Sequence, residues 1–181
     1  SLSKGDSPRT IGLRADMDAL PIEETTGLPW ASTAPGKMHA CGHDGHTTIL
    51  LAAAKYIASP ACQFNGTVHL IFQPAEEAIG GADLMIKDGL FKQFPCERIF
   101  GLHNIGKLGF YAGNFMASAD TVKITITGYG GHGAHPERTV DPIVAGAALV
   151  MALQSIVARN VPPGETAVVS VGTFQAGIAS N

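Results

Sequence analysis

Basic residues are few and scattered, with 12 Lys and Arg against 15 Asp and Glu and no cationic run. Such a surface does not neutralise a phosphate backbone, so nucleic acid is excluded as an expected partner. Cysteine is equally sparse. Cys41, Cys62 and Cys96 are an odd number at irregular spacing, which argues against a disulfide framework; a special cysteine here should be a ligand or a nucleophile. Long apolar runs are missing as well. Residues 49–54 and 143–153 are too short or too rich in Gly and Ala to span a bilayer, and no charged-then-apolar leader opens the chain. The expectation is a cytoplasmic protein with no membrane partner. What is present is 45% hydrophobic and only 15% charged residues over 181 positions, enough for one sizeable core or two small ones. The sequence opens at Ser1 without a Met and closes at Asn181 just after an apparent strand, so a piece of a longer protein is expected.

The hydrophobic pattern changes character near Ala117. Before it, short apolar runs at 10–14 and 67–72 end in polar chemistry and alternate with helical stretches at 46–58 and 81–88, the pattern of a covered, partly parallel α/β sheet. After it, residues 121–127 and 166–173 alternate apolar and polar, as antiparallel strands with one solvated face do. Between them Asp141 is placed to cap a helix with Pro142 at its first position and an apolar body over 143–157. The reading is α/β for residues 1–116 and a separate α+β layer for residues 117–181.

Four segments could carry chemistry. The densest is His39-Ala40-Cys41-Gly42-His43-Asp44-Gly45-His46, where Cys41 and His43 can turn toward one cation. The plainer alternative is a capping turn with Asp44 as cap, His46 exposed and Cys41 as a small buried hydrophobe. Glu76 and Glu77 follow the strand run at 67–72, where open α/β sheets place their sites. One carboxylate can bind a metal while its neighbour acts as a general base, or both can be solvated at a helix start. His103 closes a short run at 98–100 and is a third candidate ligand. Asp16 and Asp18 end the first run, either as groups that orient ligand imidazoles or as turn formers. Four strand ends, each delivering Asp, Glu, Cys or His, converge on a dinuclear metal site.

Gly128-Tyr129-Gly130-Gly131-His132-Gly133 matches the dinucleotide fingerprint but lacks its context, because Pro136 follows and the helix waits until Asp141. Its glycines instead let a backbone approach a ligand with one imidazole projecting, the alternative being a loop with His132 and His135 exposed.

GLRADMDALPIEE at 12–24, MHACGHDGHTT at 38–48, FQPAEE at 72–77, GLHN at 101–104 and GHGAHP at 131–136 resemble the metal-dependent amidohydrolases of the aminoacylase and carboxypeptidase G family. The resemblance is strongest to the branch with hippurate hydrolase, N-acetyl-amino-acid deacetylases and plant auxin-conjugate hydrolases. It implies a zinc-peptidase-like catalytic domain, partial here, with an inserted α+β lid that also forms a homodimer. It also implies Cys41, His43, Glu77 and His103 as ligands of two divalent cations, zinc or manganese first and cobalt or nickel next. Glu76 becomes the general base. His132 becomes a catalytic donor to the neighbouring subunit's site, with His135 and Asn181 as substrate contacts and Asp16 and Asp18 behind the ligands.

The implied reaction is hydrolysis of the amide of an N-acyl amino acid. The family's fifth ligand is a His far downstream, so four of its ligands fall in this sequence. Where the wider family has a His-x-Asp ligand motif, Ala15-Asp16-Met17-Asp18 stands here, as in the branch that uses a cysteine. Two rivals stand beside this reading: a thiol hydrolase with Cys41 as nucleophile and His43 or His39 as base, and a binding module with the fold but not the chemistry.

Overall fold

The computed structural model describes residues 1–106, 108–109 and 116–179. They fall into two compact units, Ser1–Tyr111 and Ala112–Asn181. In the first, strands β1 (Leu2–Lys4), β2 (Thr10–Asp16), β3 (Gly66–Gln73) and β4 (Arg98–Gly101) form one sheet in the order β1-β3-β2-β4. β2 runs parallel to both neighbours, with Leu13 opposite Leu70 on β3 and Phe100 on β4, and β1 is antiparallel to β3. The apolar runs of the sequence lie in β2 and β3, where Ala15, Val68 and Ile71 are buried. Burial of Val68 and Ile71 contributes about 1.5–3 kcal/mol each.

Helices α1 (His43–Ala58), α2 (Gly81–Lys87) and α3 (Leu90–Gln93) connect the strands. α1 begins three residues before the apolar pattern does. Gly42, at φ 86, turns the chain into the helix there, a conformation that only glycine adopts at little cost. The buried stripe of α1 then reads His43, His46, Leu50, so two imidazoles occupy positions that helical spacing usually gives to Leu or Val. The exposed His46 of the capping-turn reading is therefore corrected: it is 1% exposed, on the inner face of the helix.

In the second unit, α4 (Pro142–Asn160) starts as its sequence requires, with the Asp141 carboxylate accepting from the backbone N–H groups of Ile143 and Val144. Phe174 packs against Gly146 on the least exposed face of the helix; a Cβ there would sit 2.8 Å from its ring. An 18-residue window of the 19-residue α4 has a mean hydropathy of 1.6, so the helix is long and apolar enough to cross a membrane by length and composition alone. That corrects the reading of residues 143–153, because the apolar pattern continues through Ile156 and Val157.

Residues 121–127 and 166–173 are not in ladder-paired strands among the described residues, contrary to their alternating pattern. Alternation fixes which side chains share a face, but a strand also needs a partner for its N–H and C=O groups. The pairing described in this unit is the bridge between Tyr129 and Val140. A side chain on Gly128 would collide with the Val140 carbonyl, so this glycine serves a close chain crossing and not a phosphate loop.

Candidate metal centre

Because β2, β3 and β4 are parallel, their C-terminal ends share one edge of the sheet. Asp16 ends β2 and Asp18 follows it, Glu76 and Glu77 follow β3, His103 follows β4, and the N-terminus of α1 brings Cys41 and His43 to the same place. Ala75, at φ 53, bends the chain sharply after β3 and aims the paired glutamates into this edge. The amide of Gly81 closes the bend onto the Ala75 carbonyl at 2.9 Å.

His43 is the centre of the cluster. Its Nδ1 lies 3.0 Å from the Asp18 carbonyl oxygen and 3.1 Å from Asp18 Oδ1, both acceptors, so Nδ1 carries the proton and Nε2 a bare lone pair. Nε2 is buried without a hydrogen-bond partner, 3.7 Å from Glu77 Oε1 and 3.7 Å from Asp16 Oδ2. A nitrogen facing two carboxylates calls for positive charge between them, either a second proton on the ring or a bound cation. Asp18 Oδ2 meanwhile accepts the backbone N–H of Glu77 at 3.1 Å, tying the second carboxylate to the same support. Burial pushes the Asp18 carboxyl up, but the Glu77 and Glu76 backbone N–H groups and His43 together hold it below the usual carboxylate range.

Cys41 Sγ lies 3.4 Å from His103 Nε2, and the thiol is the donor because His103 Nδ1 faces the Asn104 carbonyl oxygen at 3.2 Å. Burial, then the neighbouring Glu77, Glu76 and Asp16 carboxylates, push the Cys41 thiol up to about 11. A nucleophilic cysteine needs the opposite, a cationic setting that lowers the pKa. The contact therefore does not support a thiol hydrolase, and neither His43 nor His39 is hydrogen-bonded to the thiol. His39 instead lines a separate hollow with Glu24, Leu28, Trp30, Met38 and Asp44.

The donor atoms of Cys41, His43 and His103 lie within 4.8 Å of one another, and so do those of His43, Glu76 and Glu77. Sulfur, imidazole nitrogen and carboxylate oxygen are together the donor set of zinc and similar divalent metals. A cation among these carboxylates would partner the buried His43 nitrogen and let the Cys41 thiol ionise. The residues present thus fit a metal centre.

A further group lies behind this cluster. His46 Nδ1 is 2.6 Å from Asp16 Oδ1, and Arg14 Nη1 is 2.8 Å from Asp16 Oδ2. Arg14 Nε also donates to Gln73 Oε1 at 2.8 Å. Burial raises the Asp16 carboxyl, and the His46 hydrogen bond with the Arg14 charge outweighs it, leaving the pKa lowered. Sequence reasoning missed Arg14, His46 and Gln73. For His46 the available signal was a polar residue one helical turn beyond a ligand, on the face that the apolar pattern buries.

In the second unit His132 and His135 stand 5.7 Å apart between ring centroids, both exposed. His132 Nδ1 accepts the Ala134 backbone N–H at 3.0 Å and His135 Nδ1 lies 3.4 Å from Glu137 Oε1. Asn181 lies outside the described residues.

A profile of peptidase family M20/M25/M40 matches residues 12–177. The hippurate hydrolase of Campylobacter jejuni is 55% identical over 185 residues, covering 99% of this chain and 48% of that protein. The N-acetyldiaminopimelate deacetylase of Exiguobacterium sibiricum is 47% identical, covering 96% of this chain and 48% of that protein. Among solved structures, a Bacillus subtilis dinuclear metal binding peptidase from the M20 family superposes with a TM-score of 0.53 at 44% identity, covering 59% of this chain and 29% of that one. The chain spans about half the length of the curated relatives it matches.

Proposed function

The chain belongs to peptidase family M20/M25/M40, and from that premise we propose that the protein hydrolyses the amide bond of N-acyl amino acids, releasing a carboxylic acid and an amino acid. Cys41, His43, Glu77 and His103 would hold divalent metal, two ions in all, with zinc or manganese the best match to the S, N, O donors and cobalt or nickel next. Bound there, the ions would polarise the amide carbonyl and make the attacking water more acidic. The single observation that carries the reading is the buried, unpartnered Nε2 of His43 facing Glu77, with the Glu76 carboxylate alongside.

Both glutamates are exposed at this edge, and with Glu77 facing His43 Nε2 as a ligand, Glu76 is left to take the proton from the attacking water and return it to the leaving amine. Asp18 keeps His43 in the tautomer that offers Nε2. Residues 117–181 are read as part of a lid that forms a homodimer, from which His132 donates to the oxyanion of the other subunit while His135 and Asn181 contact substrate. The names of the similar proteins support benzoyl and acetyl groups as the acyl moieties to try first.

The test is a panel of N-acyl amino acids assayed before and after chelation. Turnover of hippurate or an N-acetyl amino acid that a chelator abolishes and added metal restores is the expected result. Activity that survives chelation and disappears on thiol alkylation returns the assignment to a cysteine nucleophile.

A further inference from the structure

His46 lies in a second group with metal-binding capacity, since donor atoms of Asp16, His43 and His46 also fall within 4.8 Å of one another. Its hydrogen bonds decide what it does. The backbone N–H of Asn104 points at His46 Nε2 at 2.8 Å, so Nε2 is an acceptor and carries no proton. The proton is then on Nδ1, donated to Asp16 Oδ1 at 2.6 Å. Both ring nitrogens are occupied, and neither is free for a cation.

What the Asn104 contact holds is the strand end that carries His103. β4 stops at Gly101 and residues 102–106 are exposed. Among the described hydrogen bonds, Asn104 N–H to His46 is the one that ties this segment to the buried body of the unit, apart from His103's own contact with Cys41. The two rings also touch, His46 and His103 meeting edge to face at 4.7 Å between centroids. Asn104 packs on Gly42, where a Cβ would come within 3.2 Å of its Nδ2. A line of contacts thus runs from Arg14 through Asp16 and His46 to the backbone beside His103.

We propose that His46 is a positioning residue and not a ligand: locked by Asp16 as the Nδ1–H tautomer, it fixes the 102–104 segment so that His103 Nε2 faces Cys41 and the metal. This deepens the metal-centre reading and rests on it. Only the acceptor nitrogen matters for this role. A glutamine at position 46 places its amide oxygen near the site of Nε2 and keeps the acceptor, whereas an asparagine reaches only as far as Nδ1 and loses it.

The test compares His46→Gln with His46→Asn in the purified protein, reading Zn²⁺ affinity by competition with a chromophoric chelator, Zn²⁺ stoichiometry and turnover. His46→Asn should weaken Zn²⁺ binding by about tenfold to a hundredfold, while His46→Gln stays within about threefold and both keep full stoichiometry. Equal losses in both variants, no loss in either, or one Zn²⁺ fewer in both would overturn the proposal. Should neither variant fold, ¹⁵N spectra of the unsubstituted protein decide it: a protonated Nδ1 and a bare Nε2 that Zn²⁺ does not coordinate are expected, and an Nε2–H tautomer or Nε2 coordination contradicts it. Normal Zn²⁺ binding without turnover of any N-acyl amino acid would sink the proposed reaction and leave the His46 result standing.

Discussion

Asp18 Oδ1 lies 3.1 Å from His43 Nδ1, and this contact turns the other nitrogen of the ring, Nε2, toward the Glu77 carboxylate at 3.7 Å. The partner of a ligand imidazole sets its tautomer and orientation as firmly as any bond on the metal side. Replacing Asp18 by Ala removes no ligand, but it leaves the ring held by the backbone carbonyl of position 18 alone and releases the Glu77 backbone N–H. Metal affinity should fall by about tenfold to a hundredfold with unchanged stoichiometry at saturation. A chelator-competition titration checks this, and wild-type affinity would mean that Asp18 is only a turn former.

Cys41 supplies the pH dependence. Its thiol is pushed up to about 11 from 9.0 by burial and by the Glu77, Glu76 and Asp16 carboxylates, so in the metal-free protein the thiolate is scarce at neutrality. Only the thiolate alkylates. Iodoacetamide should therefore modify Cys41 slowly near pH 7, at a rate that climbs with pH toward about 11 instead of levelling off near 9. Bound metal should protect it further, because the cation holds the sulfur. Fast alkylation at neutral pH would contradict the carboxylate-rich setting and revive the nucleophile.

Much of this site could be read from the sequence because its residues sit at the ends of elements. The apolar runs announced β2 and β3, and the polar residues closing them, Asp16 and Glu76-Glu77, were bound to share an edge once the strands were parallel. The Asp141-Pro142 start of α4 was equally plain, since capping is a local interaction. What stayed hidden depends on burial. Nothing local separates an exposed His46 from one locked between Asp16 and Asn104, because both partners are 30 or more positions away in the chain. The alternation at 121–127 and 166–173 fixed faces but said nothing of pairing partners, and those segments are not ladder-paired among the described residues.

His132 carries the claim that a second subunit takes part. A donor aimed at developing charge acts mainly on turnover, so His132→Ala should lower kcat by about a hundredfold or more with little change in metal content. Mixing that variant with Glu76→Ala should restore activity, because a hybrid dimer pairs one intact Glu76 with one intact His132 from the other chain. If subunit exchange is verified and the mixture stays inactive, His132 is an exposed loop residue and the cross-subunit role is wrong.

The most direct measurement for the whole account is metal content and turnover of Glu76→Ala taken on the same preparation. Glu76 stands beside Glu77 and His43, and the proposed mechanism gives it proton transfer in place of a share in holding the cations. The account predicts wild-type metal content with turnover of N-acyl amino acids reduced by about 10²- to 10⁴-fold, the range that general acid–base catalysis contributes. Near-normal turnover, or the loss of a metal equivalent along with activity, would contradict it.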